Sequence, residues 1–215
     1  TNNINYVVDG SGELEKLTFT INEDGESYSV TGCDTSILGA LTIPSEFNGK
    51  SVTEIGNNAF ADCESLTSVV IPDSVVSLGE MAFYSCGSLE TVTLSNKITE
   101  IPKETFAYCE SLKTLPITEN ITSIGESAFY ASGKHSKVSL SGVTIGSEAF
   151  LQCGITELTL ENCELNDASV FINNDIDNTL DYIPRYNHPE IEDDTKYPRV
   201  KYTLVKGDKH TELKF

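Results

Sequence analysis

Apolar residues recur along this chain in two alternating rhythms. One rhythm is a short run with apolar positions two apart, as in LTSVVIP (66–72), LETVTLS (89–95), LKTLPIT (112–118), SKVSL (136–140) and ITELTL (155–160). Period-two alternation over four to six residues predicts a short strand with one buried face. LGALTIP (38–44) fits the same template one unit earlier. The other rhythm is a turn-rich segment around an invariant ring: IGNNAFADC (55–63), LGEMAFYSC (78–86), IPKETFAYC (101–109), IGESAFYAS (124–132) and IGSEAFLQC (145–153). Phe60, Phe83, Phe106, Phe129 and Phe150 are therefore 23, 23, 23 and 21 residues apart. Leu165 to Phe171 resembles a sixth turn and TLDYIP (179–184) a last strand.

A unit of this size with one short strand cannot bury its apolar face alone, whereas stacked units bury a continuous core. Val69, Val92, Leu115, Val138 and Leu158 are expected to form one ladder of a parallel sheet. Ile71, Leu94, Ile117, Leu140 and Leu160 form the next ladder inward, with the phenylalanines on the opposite wall. The Gly of each IG or LG pair (56, 79, 125, 146) fits either a positive φ or a close backbone approach. Pro102 takes that place in the third unit, and the acids nearby (Glu80, Glu126, Glu148) suit a first helical turn.

The IGxxAFxxC and LxxVxIP elements resemble the repeat unit of the BspA-like bacterial surface leucine-rich-repeat family, over roughly residues 30–160. The resemblance implies an α/β fold, a right-handed leucine-rich-repeat solenoid with short parallel strands. It also implies export to the cell surface or beyond, and adhesion to host proteins or other cells. The flanks read as β-hairpins: LTFTI, NEDG and SYSV (17–30) before the repeats, and VKYTLV, KGDK and HTELKF (200–215) after them. The expected organisation is a hairpin cap over 1–30, a solenoid over 31–184, and a cap or junction over 185–215.

Composition narrows the partners. The chain of 215 residues carries 14 Lys and Arg against 33 Asp and Glu, a formal charge of -19. Such a surface lacks the attraction to phosphate that drives nucleic-acid binding, and an anionic membrane repels it. No run of ~18 apolar residues spans a bilayer. The last 31 residues differ, with six acids against seven bases and three prolines (184, 189, 198) around the boundary.

Few residues suggest chemistry. Cys63, Cys86, Cys109 and Cys153 each follow the repeat Phe by three, with Ser132 in the same place in the fourth unit, which predicts a row of packed free thiols. Cys33 and Cys163 fall outside that row, at opposite ends. No metal-ligand spacing occurs among the three scattered histidines, and His135, in SGKHSK, reads as an exposed loop residue. No nucleophile–base pair stands out, so neither catalysis nor a cofactor is expected. DIDNTLD (175–181) is half of a calcium loop without its Gly and terminal Glu. Asn120-Ile121-Thr122 matches a glycosylation triplet.

The candidate site is the outward face of the strands. It comprises Thr42, Val70, Thr93, Pro116, Ser139 and Thr159, flanked by Ser68, Thr91, Thr114, Lys137 and Glu157. Repeat proteins bind on such extended concave faces, and a host or cell-surface protein or a glycan is the expected partner. The plain alternative is that Thr is simply a good β-surface residue. Tyr84, Tyr108 and Tyr130 form a second candidate group beside the phenylalanines, set against ordinary packing over the neighbouring coil. The functional expectation is an exported, non-enzymatic recognition module; the competing one is a rigid spacer that displays another domain.

Overall fold

A computed structural model of the chain describes residues 4–5, 17–135, 137–155, 157–166, 201–206 and 209–212. It is a β-solenoid of about six turns, with no helix among the described residues. TLDYIP, DIDNTLD and most of the sixth turn lie outside them. Each turn has a strand wall and a turn wall, with a short parallel ladder between them, as where Glu100–Ile101, Ser123–Ile124, Thr144–Ile145 and Glu164–Leu165 pair in succession.

The strand wall comes in two sheets. Gly39–Thr42, Leu66–Val70 and Thr91–Thr93 pair in parallel, Val69 opposite Leu41 and Val92. Lys137–Ser141 and Glu157–Glu161 pair in parallel, Val138 opposite Leu158 and Leu140 opposite Leu160. Lys201–Lys206 continues this second sheet and pairs antiparallel with Lys209–Glu212. Leu41, Val69, Ile71, Leu94, Leu140 and Leu160 are buried, as the alternation predicts. Val92 and Val138, in strands, are half-buried against this core, and so are Leu115 and Ile117, whose segment forms no strand.

The turn wall explains why the expected helical turn does not form. In all five units the residues two before and two after the Phe have positive φ, from Asn58 (56°) and Asp62 (60°) to Glu148 (56°) and Gln152 (62°). That left-handed conformation interrupts a right-handed helix. The N–H groups at these two positions and at the Phe itself donate to carbonyls of the next coil: Asn58 to Glu80, Phe60 to Ala82 and Asp62 to Tyr84, at 2.8–3.0 Å. Units two to four repeat the set. The backbone donors a helix would use within the coil thus link coil to coil, much as in a parallel sheet.

The glycines of the IG pairs do not have positive φ, and close approach is what they provide. A Cβ at Gly79 would sit 2.3 Å from the Asn57 amide nitrogen, at Gly125 2.5 Å from that of Lys103, and at Gly146 2.6 Å from that of Glu126. Pro102 fits the third unit without a left-handed turn.

Inside this wall Phe60, Phe83, Phe106, Phe129 and Phe150 are fully buried and stack with centroids 5.0–5.6 Å apart and planes within 7° of parallel. Separations wider than van der Waals contact mean that the rings slide past one another, the favoured offset arrangement. Before the first unit, Leu17–Ile21 and Ser27–Cys33 form the expected antiparallel hairpin, with Gly25 in the turn at φ 66°. Leu17 and Phe19 are buried, Phe19 stacked on Phe47 at 4.1 Å.

Candidate functional site

The row three residues after each Phe has a specific task. Cys86 Sγ donates to the Phe60 carbonyl at 3.1 Å, Cys109 Sγ to Phe83 at 3.2 Å and Cys153 Sγ to Phe129 at 2.7 Å; the Ser132 hydroxyl donates to Phe106. The position therefore takes a small side chain that still carries a donor. The bond to Cys86 and then burial push the Cys109 thiol well up, and burial pushes Cys153 up to about 12. Thiols held protonated at neutral pH are neither nucleophiles nor metal ligands.

The first member of the row departs from expectation. Cys63 is joined to Cys33 in a disulfide, Cα atoms 7.8 Å apart, wider than the roughly 4.4–6.8 Å usual for a bridge. Its coil has no Phe coil before it whose carbonyl a thiol would bind, and the hairpin's end strand brings Cys33 there instead. Cys86, Cys109, Cys153 and Cys163 are free.

The outward strip is assembled largely as the alternation dictates. Thr42, Val70, Thr91, Thr93, Thr114, Lys137 and Ser139 are exposed, while Ser68 and Thr159 are half-buried. Ser68 stands opposite Thr91, Val70 opposite Thr93, Lys137 opposite Glu157, and Ser139 opposite Thr159. Pro116 is the exception, since it is buried and its unit forms no strand. Proline has no N–H to give to a ladder, and the Ile117 N–H next to it bonds back to Leu115 within its own segment at 2.8 Å.

Where the sheet breaks, a cleft of about 710 Å³ opens. Lys113, Thr114, Thr118, Lys134, Lys137 and Ser139 are among the residues that line it. Thr118 Oγ1 is buried with no hydrogen-bond partner among the described residues. Lys113 is held by Glu90 across the coils at 2.5 Å. His135, also at this cleft, is buried rather than exposed. Its Nε2 lies 2.9 Å from the Ser132 carbonyl and its backbone N–H donates to Cys153 at 2.8 Å. Burial lowers its pKa below the ordinary imidazole value, which fixes the neutral ring as a donor to Ser132. No sequence signal marked it, because the polar neighbours of SGKHSK hide that the loop folds inward.

The tyrosines do meet. Tyr84 and Tyr108 lie edge to face at 5.3 Å, and Tyr108 and Tyr130 are tilted at 5.2 Å. Ile121, by contrast, is core, so the glycosylation triplet presents only Asn120 and Thr122 to solvent. Among the described residues, no group of three His, Cys, Asp or Glu is placed to hold a metal, and no helix is long and apolar enough to cross a membrane.

The recurrent coil with its Phe stack, inter-coil ladder and thiol row is matched by a model of the BspA type leucine-rich-repeat region, in six copies over residues 35–156. This chain belongs to that family. The BspA-type chain is similar in structure to a Treponema pallidum leucine-rich-repeat protein (TpLRR), with a TM-score of 0.62 and 29% identity over 67% of this chain and 68% of that one. A leucine-rich-repeat protein of Bacteroides ovatus shares the fold at TM-score 0.61 and 22% identity, over 73% of this chain and 49% of that one. A leucine-rich cell surface protein of Faecalibacterium prausnitzii matches at TM-score 0.57 and 33% identity, over 72% and 39%. The chain thus spans about half of the B. ovatus protein and two fifths of the F. prausnitzii one. No curated protein matches.

Proposed function

We propose that this BspA-type chain is a non-enzymatic recognition module of the cell surface or extracellular space, and that its concave face holds a protein or glycan at the break between the two sheets. The cleft of about 710 Å³ carries this reading. A continuous sheet offers a flat strip, whereas the break supplies a concave seat with polar walls, the form that binding sites take. The buried, unpartnered Thr118 hydroxyl gives such a seat an atom for a ligand to bond. Surface location is supported by the F. prausnitzii relative, itself described as a cell surface protein. The two hairpins act as covers for the ends of the stack, since an open coil exposes apolar surface.

The test is a screen of the purified chain against extracellular-matrix proteins and glycans in ~150 mM salt, where diffuse attraction is screened. A saturable partner is expected, with binding reduced at least about tenfold when Thr93 and Thr114 are both replaced by Arg, because both are exposed and the fold tolerates them. Unchanged binding in that variant removes the concave face from the reading. A blank screen favours the rigid spacer, for which the unbroken phenylalanine stack is the supporting feature.

A further inference from the structure

The tyrosines on the turn wall lie away from the concave face and take no share in the recognition proposed for it. Tyr108 is 38% exposed, although large aromatic side chains normally fold over their coil, and Tyr84 and Tyr130 flank it half-buried. Between the units of Tyr84 and Tyr108 lies a cleft of about 520 Å³, lined by Glu64, Tyr84, Ser85, Gly87, Ser88, Tyr108 and Glu110. The floor is small side chains, the wall is two aromatic rings, and the charged lining is two exposed carboxylates with no cation. Burial first, and then the fields of Tyr108, Glu104 and Asp62, raise the Tyr84 pKa above the ordinary phenol value. The neighbouring cation, Lys103, is held by Glu126 at 2.6 Å and reaches Glu104 at 3.6 Å.

We infer that this tyrosine ladder and its acidic rim are a second docking surface, which takes a basic peptide segment with arginine side chains laid against the rings. Rings present a negative face to a cation, and the planar, weakly hydrated guanidinium both stacks on an aromatic face and forms forked hydrogen bonds with a carboxylate. Glu64 and Glu110 are exposed carboxylates that line the same cleft as the rings, so both acceptors are within the one site. An acidic partner is repelled by these carboxylates, and a neutral apolar one leaves them without a partner. The surface is therefore complementary in charge and shape to one class of segment.

The chain has no Trp, and three of its nine tyrosines form this ladder, so tyrosine emission compared between the parent and its variants reads binding at this surface. A short unstructured peptide alternating Arg with Gly is titrated in ~150 mM salt, with its Glu-Gly counterpart as control. Saturable binding of the Arg peptide alone is expected. Two variants separate the ladder from diffuse attraction to a chain of charge -19, since neither changes charge. Tyr108→Ala removes the central ring. Gly87→Leu adds an apolar side chain to the cleft's lining at a position where a Cβ meets nothing within 4 Å and φ is not positive. Each is expected to weaken binding about tenfold, while Thr93→Arg/Thr114→Arg on the other face leaves it unchanged. Binding within twofold of the parent in both Tyr108→Ala and Gly87→Leu, or no binding by the parent, overturns the inference.

Discussion

On the turn wall five phenylalanines stack without interruption from Phe60 to Phe150, whereas on the strand wall the sheet stops at Thr93 and resumes at Lys137. Both walls come from the same repeat, and the same fourth unit that carries Pro116 keeps Phe129 in register. The difference lies in how many constraints meet at each position. A turn-wall residue is fixed by ring stacking, by its own N–H donated to the next coil, and by a thiol or hydroxyl on its carbonyl. A strand-wall residue has one face in water and only the sheet ladder beyond that, so one missing N–H lets the segment depart and the neighbours close over the loss. Register is rigid where both backbone and side chain are committed, and the freer wall is the one whose ladder is interrupted.

Six substitutions and one thiol measurement test that contrast. The largest effect is expected from Phe106→Ala, which removes a fully buried ring stacked between Phe83 and Phe129 and costs about 3–5 kcal/mol in urea unfolding. Leu115→Ala, half-buried on the strand wall, is expected to cost less than about 2 kcal/mol. If the two cost the same, the walls are equally constrained and the contrast fails. Next comes Gly79→Ala, whose Cβ meets backbone at 2.3 Å, for about 2–3 kcal/mol, while Gly87→Ala in open space is near neutral.

His135 probes the seam between the walls. Its pKa is depressed in the folded chain, so the unfolded state binds the proton first. Folding stability from this group is complete above the unfolded value near 6.5 and declines as the pH falls from there toward the folded value. Thermal melts from pH 7.5 to 5 are expected to show a steeper fall for the parent than for His135→Gln; parallel curves would mean that the ring titrates as if in water. Pro116→Val is smaller still: it restores a ladder donor, is expected to change stability by no more than about 1 kcal/mol, and abolishes binding of any concave-face partner by closing the break. Last, in denaturant without reductant, thiol titration is expected to find four reactive cysteines, since Cys33 and Cys63 are paired; six would return Cys63 to the free row.

Much of this was legible in the sequence because it repeats. The Phe spacing, the small residue three places later and the strand alternation each recur in register, and recurrence turns a weak local signal into a strong one. What repetition hid were the exceptions. Pro116 in LKTLPIT carried its own warning, since a central strand does not accept proline, yet the apolar positions around it kept the strand template. His135 and Cys33 sit at departures from the repeat, where burial depends on which segment folds beside them. The left-handed turn is hidden for a different reason: Met, Ser, Glu, Tyr, Ala and Gln two places before or after the Phe do not advertise a left-handed backbone as glycine would, and only the first unit carries Asn58 and Asp62 there. Only the ladder to the next coil reveals why they adopt it.

The ladder of amide-to-carbonyl bonds that joins each turn wall to the next has a mechanical consequence. Its bonds run along the stacking axis, so a pull applied to the two ends of the stack loads them in line rather than in shear, and the stack opens coil by coil. Such a filament does not snap as a unit. It lengthens in increments of a single repeat, 23 residues or about 80 Å of contour, and so yields gradually under tension while the coils still stacked keep their shape.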